Sequence, residues 1–196
     1  MRVIAGNARR TVLVAPDGQN TRPTADRAKE GLFNILAPRI RGARFLDTFC
    51  GSGAIGVEAL SRGASQAVFV DCSQAAIRAV RSNLSKTRLS ESAVVLETSA
   101  KNAIARLAAQ NQQFDIIFID PPYGSGFLQQ TLAQISQSKL LTESGIIIAE
   151  TDTVETDTID NEKTDDLMPI ESRTYGRTKF MFFEWTSWGQ NETVCC

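Results

Sequence analysis

Three glycines and three aspartates carry the chemistry that this chain advertises. Gly51, Gly53 and Gly56 stand in the pattern G-x-G-x-x-G shortly after Phe45-Leu46-Asp47, an apolar run that reads as a short buried strand. Glycines at that spacing let the backbone turn sharply and approach a ligand closely. The helix that follows aims its free N–H groups at whatever is bound. Asp71 lies 20 residues past Gly51, where such a loop needs an acceptor for ribose hydroxyls. The loop alone fits a dinucleotide or S-adenosylmethionine (SAM). Asp47 favours SAM, because a carboxylate repels a pyrophosphate but suits a ligand with an ammonium group and no phosphate.

The third aspartate opens Asp120-Pro121-Pro122-Tyr123, directly after the apolar run Ile116-Ile117-Phe118-Ile119. Two prolines stiffen the backbone there and leave their carbonyls without ladder partners. The stretch therefore offers Asp120 oxygens and a Pro121 carbonyl as acceptors beside the ring of Tyr123. An exocyclic amine on a nucleobase has two N–H donors, a flat ring to stack and a lone pair drawn into that ring. Acceptors on both N–H groups favour a pyramidal nitrogen whose lone pair faces a methyl sulfonium. In-line displacement then needs positioning more than a strong base. The chain contains no histidine, which removes the commonest general base. A Pro-Pro turn alone would be an ordinary strand ending; following a SAM-type loop, it reads as a catalytic one.

These residues need a sheet to hold them. Strands are predicted at 44–49, 67–71, 93–97, 115–119 and 145–150, with amphipathic helices between them. Continuous apolar strands alternating with such helices specify a parallel sheet covered on both faces. Gly63 is a stop for the helix over 54–62, and Ser73 a cap for the next one. Residues 170–175 and 178–185 form a closing β-hairpin around Tyr175-Gly176-Arg177. Ahead of this domain, runs at 2–5 and 11–14 read as a small β-ribbon. Thr24 is then a candidate cap for a helix that Pro38 ends. The domain boundaries are 1–43, 44–188 and a frayed tail, 189–196. The acidic stretch 150–166, with eight acids and one lysine, reads as a polar connection without assigned function.

Composition bounds the rest. The 196 residues are 42% hydrophobic and the net charge is −1. Residues 1–44 nevertheless carry nine Lys/Arg against three Asp/Glu. A basic segment on an acidic domain suggests a local phosphate-binding face. Arg22, Arg27 and Lys29 are candidates for RNA phosphate contact. No apolar run approaches the roughly 18 residues of a membrane span, and no signal peptide opens the chain. Cys50, Cys72, Cys195 and Cys196 show no C-x-x-C spacing, so a reduced, cytoplasmic protein without a metal site is expected.

The full set resembles class I SAM-dependent methyltransferases of the amino-methylating kind, and more closely the RsmD family, which methylates the exocyclic N2 of a guanine in 16S ribosomal RNA. Matching stretches run from Arg2 to about Trp185. They include Thr21-Arg22-Pro23-Thr24, Glu30 to Asn34, the loop around Gly51, Glu58 to Ala64, Asp120 to Tyr123, and Tyr175-Gly176 with Thr178. The resemblance implies a Rossmann-like, mostly parallel seven-stranded sheet. It implies that Asp47, Phe49, Gly51 and Gly53 hold the methionine end of SAM. Asp71 would take the ribose, with Cys72, Ser99 and Ala100 near the adenine. Asp120, Pro121, Pro122 and Tyr123 would handle the guanine, and Arg9, Arg10, Arg22, Thr24 and Arg27 the RNA. Two positions depart from the family pattern. Ser99 stands where an Asp or Asn is usual, and Arg9-Arg10 where a Gly-Arg is usual.

The expected partner is 16S ribosomal RNA, free or within an assembled small subunit, met by a monomer. Three other readings compete. A DNA adenine-N6 or cytosine-N4 methyltransferase shares Asp120–Tyr123 but needs a sizeable target-recognition region, for which residues 1–43 leave little room. A catalytically dead SAM-fold assembly factor would have no need to keep Asp47, Asp71 and Asp120. An NAD-dependent dehydrogenase leaves Asp47 unexplained.

Overall fold

Apolar runs at the predicted places become strands. The computed structural model describes residues 1–16, 23–122, 126–153 and 166–186, with the backbone alone at 23–25. Seven strands follow one another in the chain: β1 (Arg44–Asp47), β2 (Gln66–Asp71), β3 (Ala93–Glu97), β4 (Phe114–Ile119), β5 (Leu141–Asp152), β6 (Leu167–Tyr175) and β7 (Thr178–Trp185). They form one sheet in the order β3-β2-β1-β4-β5-β7-β6. The first five are parallel, and β7 runs antiparallel between β5 and β6. The chain reverses direction across the sheet at β1 and β4, which opens a crevice at their carboxyl ends. This is the Rossmann-like architecture that the resemblance implies.

Helices α1 (Pro23–Ile40), α2 (Ala54–Ser61) and α3 (Gln74–Thr87) cover one face, and α4 (Ala100–Ala109) and α5 (Phe127–Ser138) the other. The side-chain period of two splits each strand between these layers. Phe45, Phe69, Phe118, Ile148 and Phe180 enter the core under α1–α3. Leu46, Val68, Ile117, Ile147 and Met181 enter the core under α4 and α5. Among the described residues, no helix is long and apolar enough to cross a membrane.

Several boundaries differ from expectation. Helix α1 runs past Pro38 to Ile40. Proline there forfeits one backbone bond to Asn34, which the burial of Leu36 and Ile40 outweighs. The helix also starts at Pro23, so Thr24 lies inside its first turn rather than at its cap. Ser73 caps α3 as expected, accepting from the Ala76 N–H at 3.4 Å. Strand β6 begins earlier than predicted, with a register shift between Pro169 and Glu171, as an edge strand permits.

The N-terminal ribbon shrinks to one antiparallel bridge, Arg2 with Val12. Val3, Arg10 and Leu13 still donate across the ribbon, to the Thr11, Val3 and Met1 carbonyls, while other backbone groups go to side chains of α2 and α3. The carboxylate of Glu58 accepts from the Ile4 and Ala5 N–H groups at 2.8 and 3.0 Å. Ser61 Oγ accepts from the Ala8 N–H at 2.9 Å and donates to the Ala5 carbonyl at 2.6 Å. Asn83 accepts from the Val14 N–H at 2.8 Å and donates to the Val14 carbonyl at 2.9 Å. Residues 1–14 are thus strapped across α2 and α3, and Val3, Ala8 and Leu13 are buried in the same core as α1.

Candidate functional site

The glycine loop is built by its neighbours as much as by its glycines. Strand β1 ends at Asp47, and Thr48 continues the line by donating its N–H to the Phe118 carbonyl at 3.0 Å. The chain then turns through Gly51 and Gly53, with φ of 50° and 75°. Both lie in the left-handed region that side chains avoid. Gly56 is needed for a different reason. A Cβ there would sit 2.3 Å from the Phe69 ring, so only glycine lets α2 lie this close to β2.

Two carboxylates brace the loop. Asp71 accepts from the Gly51 N–H at 2.9 Å through one oxygen and from the Ser73 N–H at 2.8 Å through the other. Each oxygen keeps a second lone pair for a ligand hydroxyl. Asp47, almost fully buried, accepts from the Gly56 N–H at 3.2 Å. Burial pushes its carboxyl up to about 7; the Gly56 N–H opposes the shift, and the Asp71 and Glu150 charges add to it. Asn83 reaches the loop as well, donating to the Ser52 carbonyl at 2.8 Å.

A single cleft of about 1290 Å³ opens at this carboxyl edge of the sheet. Asp47, Phe49, Gly51, Asp71, Cys72, Ser99, Ala100, Asp120, Pro121 and Pro122 all line it. Gly53 shapes the loop from behind. The Ser99 hydroxyl caps α4, accepting from the Asn102 N–H at 3.3 Å. Arg9 and Arg10 are exposed on the N-terminal strap, and Arg27 on α1. Arg22 and Tyr123 fall outside the described residues, as do Cys195 and Cys196; the Thr24 side chain is also not described.

Sequence reasoning missed Glu150. It closes the predicted strand 145–150 and opens the acidic stretch left without a function; in the structure it belongs to β5 and lines the cleft. Asp47, Asp71, Asp120 and Glu150 each stand two residues beyond Phe45, Phe69, Phe118 and Ile148. Those four side chains share the α1–α3 core. The period of two therefore brings all four carboxylates to one face of the sheet. Burial pushes Glu150 up to about 7, opposed by the Thr178 hydroxyl, which donates to it at 3.4 Å. Burial also holds Asp120 well above the usual carboxylate range, reinforced by Glu150 and Asp47. An acid closing an apolar strand was a signal available in the sequence, at Glu150 as at Asp71.

The strap and α1 complete the cleft. Met1, Pro16, Asp26 and Lys29 form one wall. Opposite them, Phe127 at the start of α5 is half exposed and lies 6.4 Å from the Phe49 ring, centre to centre. The cleft thus combines an acidic floor, a loop of backbone donors and an aromatic rim. That donor set fits SAM: carboxylates for its ammonium and ribose, and apolar and aromatic walls for its adenine. A pyrophosphate would meet four carboxylates, and the one lysine on that wall, Lys29, is already paired with Glu58 at 3.3 Å.

The family model described as Conserved hypothetical protein 95 matches residues 1–184. The chain belongs to this family. The RsmD resemblance read from the motifs is borne out by its relatives. Ribosomal RNA small subunit methyltransferase D of Escherichia coli is 37% identical over 78% of this chain and 75% of its own length. A Bacillus subtilis member, YlbH, carries a provisional rRNA methyltransferase name and is 41% identical over 91% of this chain and 95% of its own. Among solved structures, yhhF from Escherichia coli superposes with a TM-score of 0.81 at 30% identity, covering 94% of this chain and 97% of its own.

Proposed function

We propose that the chain is a SAM-dependent methyltransferase of ribosomal RNA, acting on the exocyclic N2 amine of a guanine in the 16S molecule. The observation that carries this reading is the acidic floor beside a glycine loop, at the carboxyl ends of β1, β2, β4 and β5. Family membership supports the same activity. Asp47 and the Gly51–Gly53 backbone bind the methionine end of SAM, and Asp71 takes the ribose hydroxyls. When bound, SAM supplies an electrophilic methyl carbon.

The protein's part is to present the nitrogen. Asp120 and the Pro121 carbonyl accept from the two N–H groups of the amine, turning its lone pair out of the base plane. Tyr123 stacks on the base. Pro121 is buried and Pro122 exposed, so the dipeptide is anchored on one side and open to substrate on the other. Arg9, Arg10, Arg22, Thr24 and Arg27 meet the RNA backbone. The enzyme acts as a monomer on RNA of the small subunit.

The test is methyl transfer from labelled SAM to three substrates: small ribosomal subunits lacking the modification, the corresponding naked RNA, and duplex DNA. Digestion to N2-methylguanosine is the expected result. N6-methyladenosine or methylated DNA would overturn the assigned base or polymer. Asp120→Ala should lose a charge-assisted hydrogen bond of about 1.5–3 kcal/mol, and with it roughly 10- to 150-fold in rate, while still binding SAM.

A further inference from the structure

The proposed reaction leaves one proton to be disposed of. As the amine nitrogen gains its methyl group, an N–H bond breaks and its electron pair stays on nitrogen. The released proton needs an acceptor within the cleft, and the chain has no histidine to serve. Asp120 is placed to receive it, forming an O–H bond. Glu150 stands beside Asp120 and has no role in the function as described so far.

The geometry ties the two together. In the β4–β5 pairing, Ile117 lies against Ile147, Phe118 against Ile148 and Ile119 against Ala149. Asp120 and Glu150 are the next residues along. Neighbouring strands lie about 4.8 Å apart, and residues in parallel register point to the same face. Both side chains line the same cleft. On the far side, β7 supplies the Thr178 hydroxyl to one Glu150 oxygen at 3.4 Å. Among the described residues no donor bonds to Asp120, whereas Glu150 is held from behind.

We propose that Glu150 is a positioning residue for the transfer: its charge, one strand over and in register, makes Asp120 a better acceptor for the proton lost by the amine. Two adjacent carboxylates resist ionising together, so the pair keeps one proton more readily than either group would alone. Burial raises both groups, and the Glu150 charge adds to the rise at Asp120. Of the other acids on this face of the sheet, Asp47 on β1 adds to the repulsion at Asp120, and Asp71 stands further off on β2. Asp26 and Lys29 on α1 line the same cleft, Lys29 being paired with Glu58, and Lys101 on α4 stands at its rim. β7 contributes the Thr178 hydroxyl. Removing the Glu150 charge therefore makes Asp120 a weaker proton acceptor. The inference rests on the methyltransferase reading.

Two measurements test it. The first needs no turnover: carboxyl carbon NMR titration of the full chain without SAM, in wild type, Glu150→Gln and Glu150→Asp. The wild type should titrate Asp120 and Glu150 in two linked steps. Glu150→Gln should move the Asp120 step down by about one pH unit or more, and Glu150→Asp should keep it near the wild-type position. The second is the pH profile of kcat on RNA, with SAM affinity measured alongside. The acid limb of Glu150→Gln should shift to lower pH, kcat should fall above it, and SAM affinity should hold. An Asp120 titration unmoved by Glu150→Gln overturns the proposal. So does an equal loss of kcat/KM and SAM affinity with no change in the limb, which would mark Glu150 as structural. A wild-type chain that transfers no methyl group overturns the enzymatic reading and this role with it, and is recognised by intact linked titration without turnover.

Discussion

Glu58 offers the sharpest test of how the cleft wall is held. It is fully buried on α2, yet its two oxygens serve four donors: the Ile4 and Ala5 N–H groups, Arg62 Nε at 2.8 Å and Lys29 Nζ at 3.3 Å. Lys29 is itself 4% exposed and donates to the Arg2 carbonyl at 2.7 Å. Glu58→Gln keeps the shape and removes the charge. One oxygen becomes an NH2 group facing donors, which orphans a strap amide, and Lys29 loses its counter-charge. Breaking a buried pair in this way costs about 3–5 kcal/mol. Burial already lowers the Lys29 pKa, so the lysine can shed its proton, which places the loss near the lower end. About 3 kcal/mol lowers Tm by roughly 6–12 °C in a chain of this size. Thermal unfolding followed by circular dichroism reads the shift. Trypsin cleavage after Arg9 and Arg10 reads release of the strap. Adding Lys29→Met should recover part of the loss, because the orphan charge disappears while the strap amide stays unsatisfied. A Tm within about 2 °C of wild type, with unchanged proteolysis, would refute the claim that Glu58 pins the strap.

Further outcomes follow from the site and the strap. SAM needs Asp47 ionised, and its carboxyl sits at about 7, so affinity should be about tenfold weaker at pH 6 than at pH 8; calorimetry showing a flat profile would reject that role. The same upward shift favours the SAM-free fold below the unfolded carboxylate range, near pH 4, and that advantage is lost as pH rises to about 7. Asp71→Asn leaves one of the Gly51 and Ser73 N–H groups facing an amide NH2, costing about 1–3 kcal/mol; SAM affinity should fall by roughly 10-fold or more, and an unchanged value would remove Asp71 from the loop. Arg10 holds a left-handed φ of 73°, a conformation that strains a side chain by about 1–3 kcal/mol; Arg10→Gly should therefore leave Tm unchanged or raised while weakening RNA binding in low salt, and a lowered Tm would refute the strain argument.

The sheet and three of its four acids were legible because each is a local signal. Asp47, Asp71 and Asp120 end apolar runs, and the glycine spacing marks the loop between the first two. Glu150 carries the same signal, but it also begins a run of acids and so reads as part of a connection. Its meaning depends on the register of β4 against β5, a long-range fact. Glu58 is an isolated charge in the otherwise apolar helix Ala54–Ser61, and its donors at Ile4 and Ala5 lie more than 50 residues away. The same distance hid the fate of the ribbon, whose alternating residues promised strand pairing while the amides of Ile4, Ala5, Ala8 and Val14 went to side chains on α2 and α3. Pro38 misled for the opposite reason: a strong local rule gave way to burial on either side of it.

The strap also fixes an order of events during synthesis. Residues 1–14 leave the ribosome before the helices they lie on: the partners of Ile4, Ala8 and Val14 follow 54, 53 and 69 positions later. At about 5–20 residues per second, the first of these amides waits several seconds for its acceptor. Ile4, Ala5 and Ala8 have no acceptors until α2 brings Glu58 and Ser61, and Val14 waits longer, for Asn83 on α3. That wall of the cleft is therefore made before its seat, and the Asn83 bond to the Ser52 carbonyl joins the glycine loop to the same wait for α3.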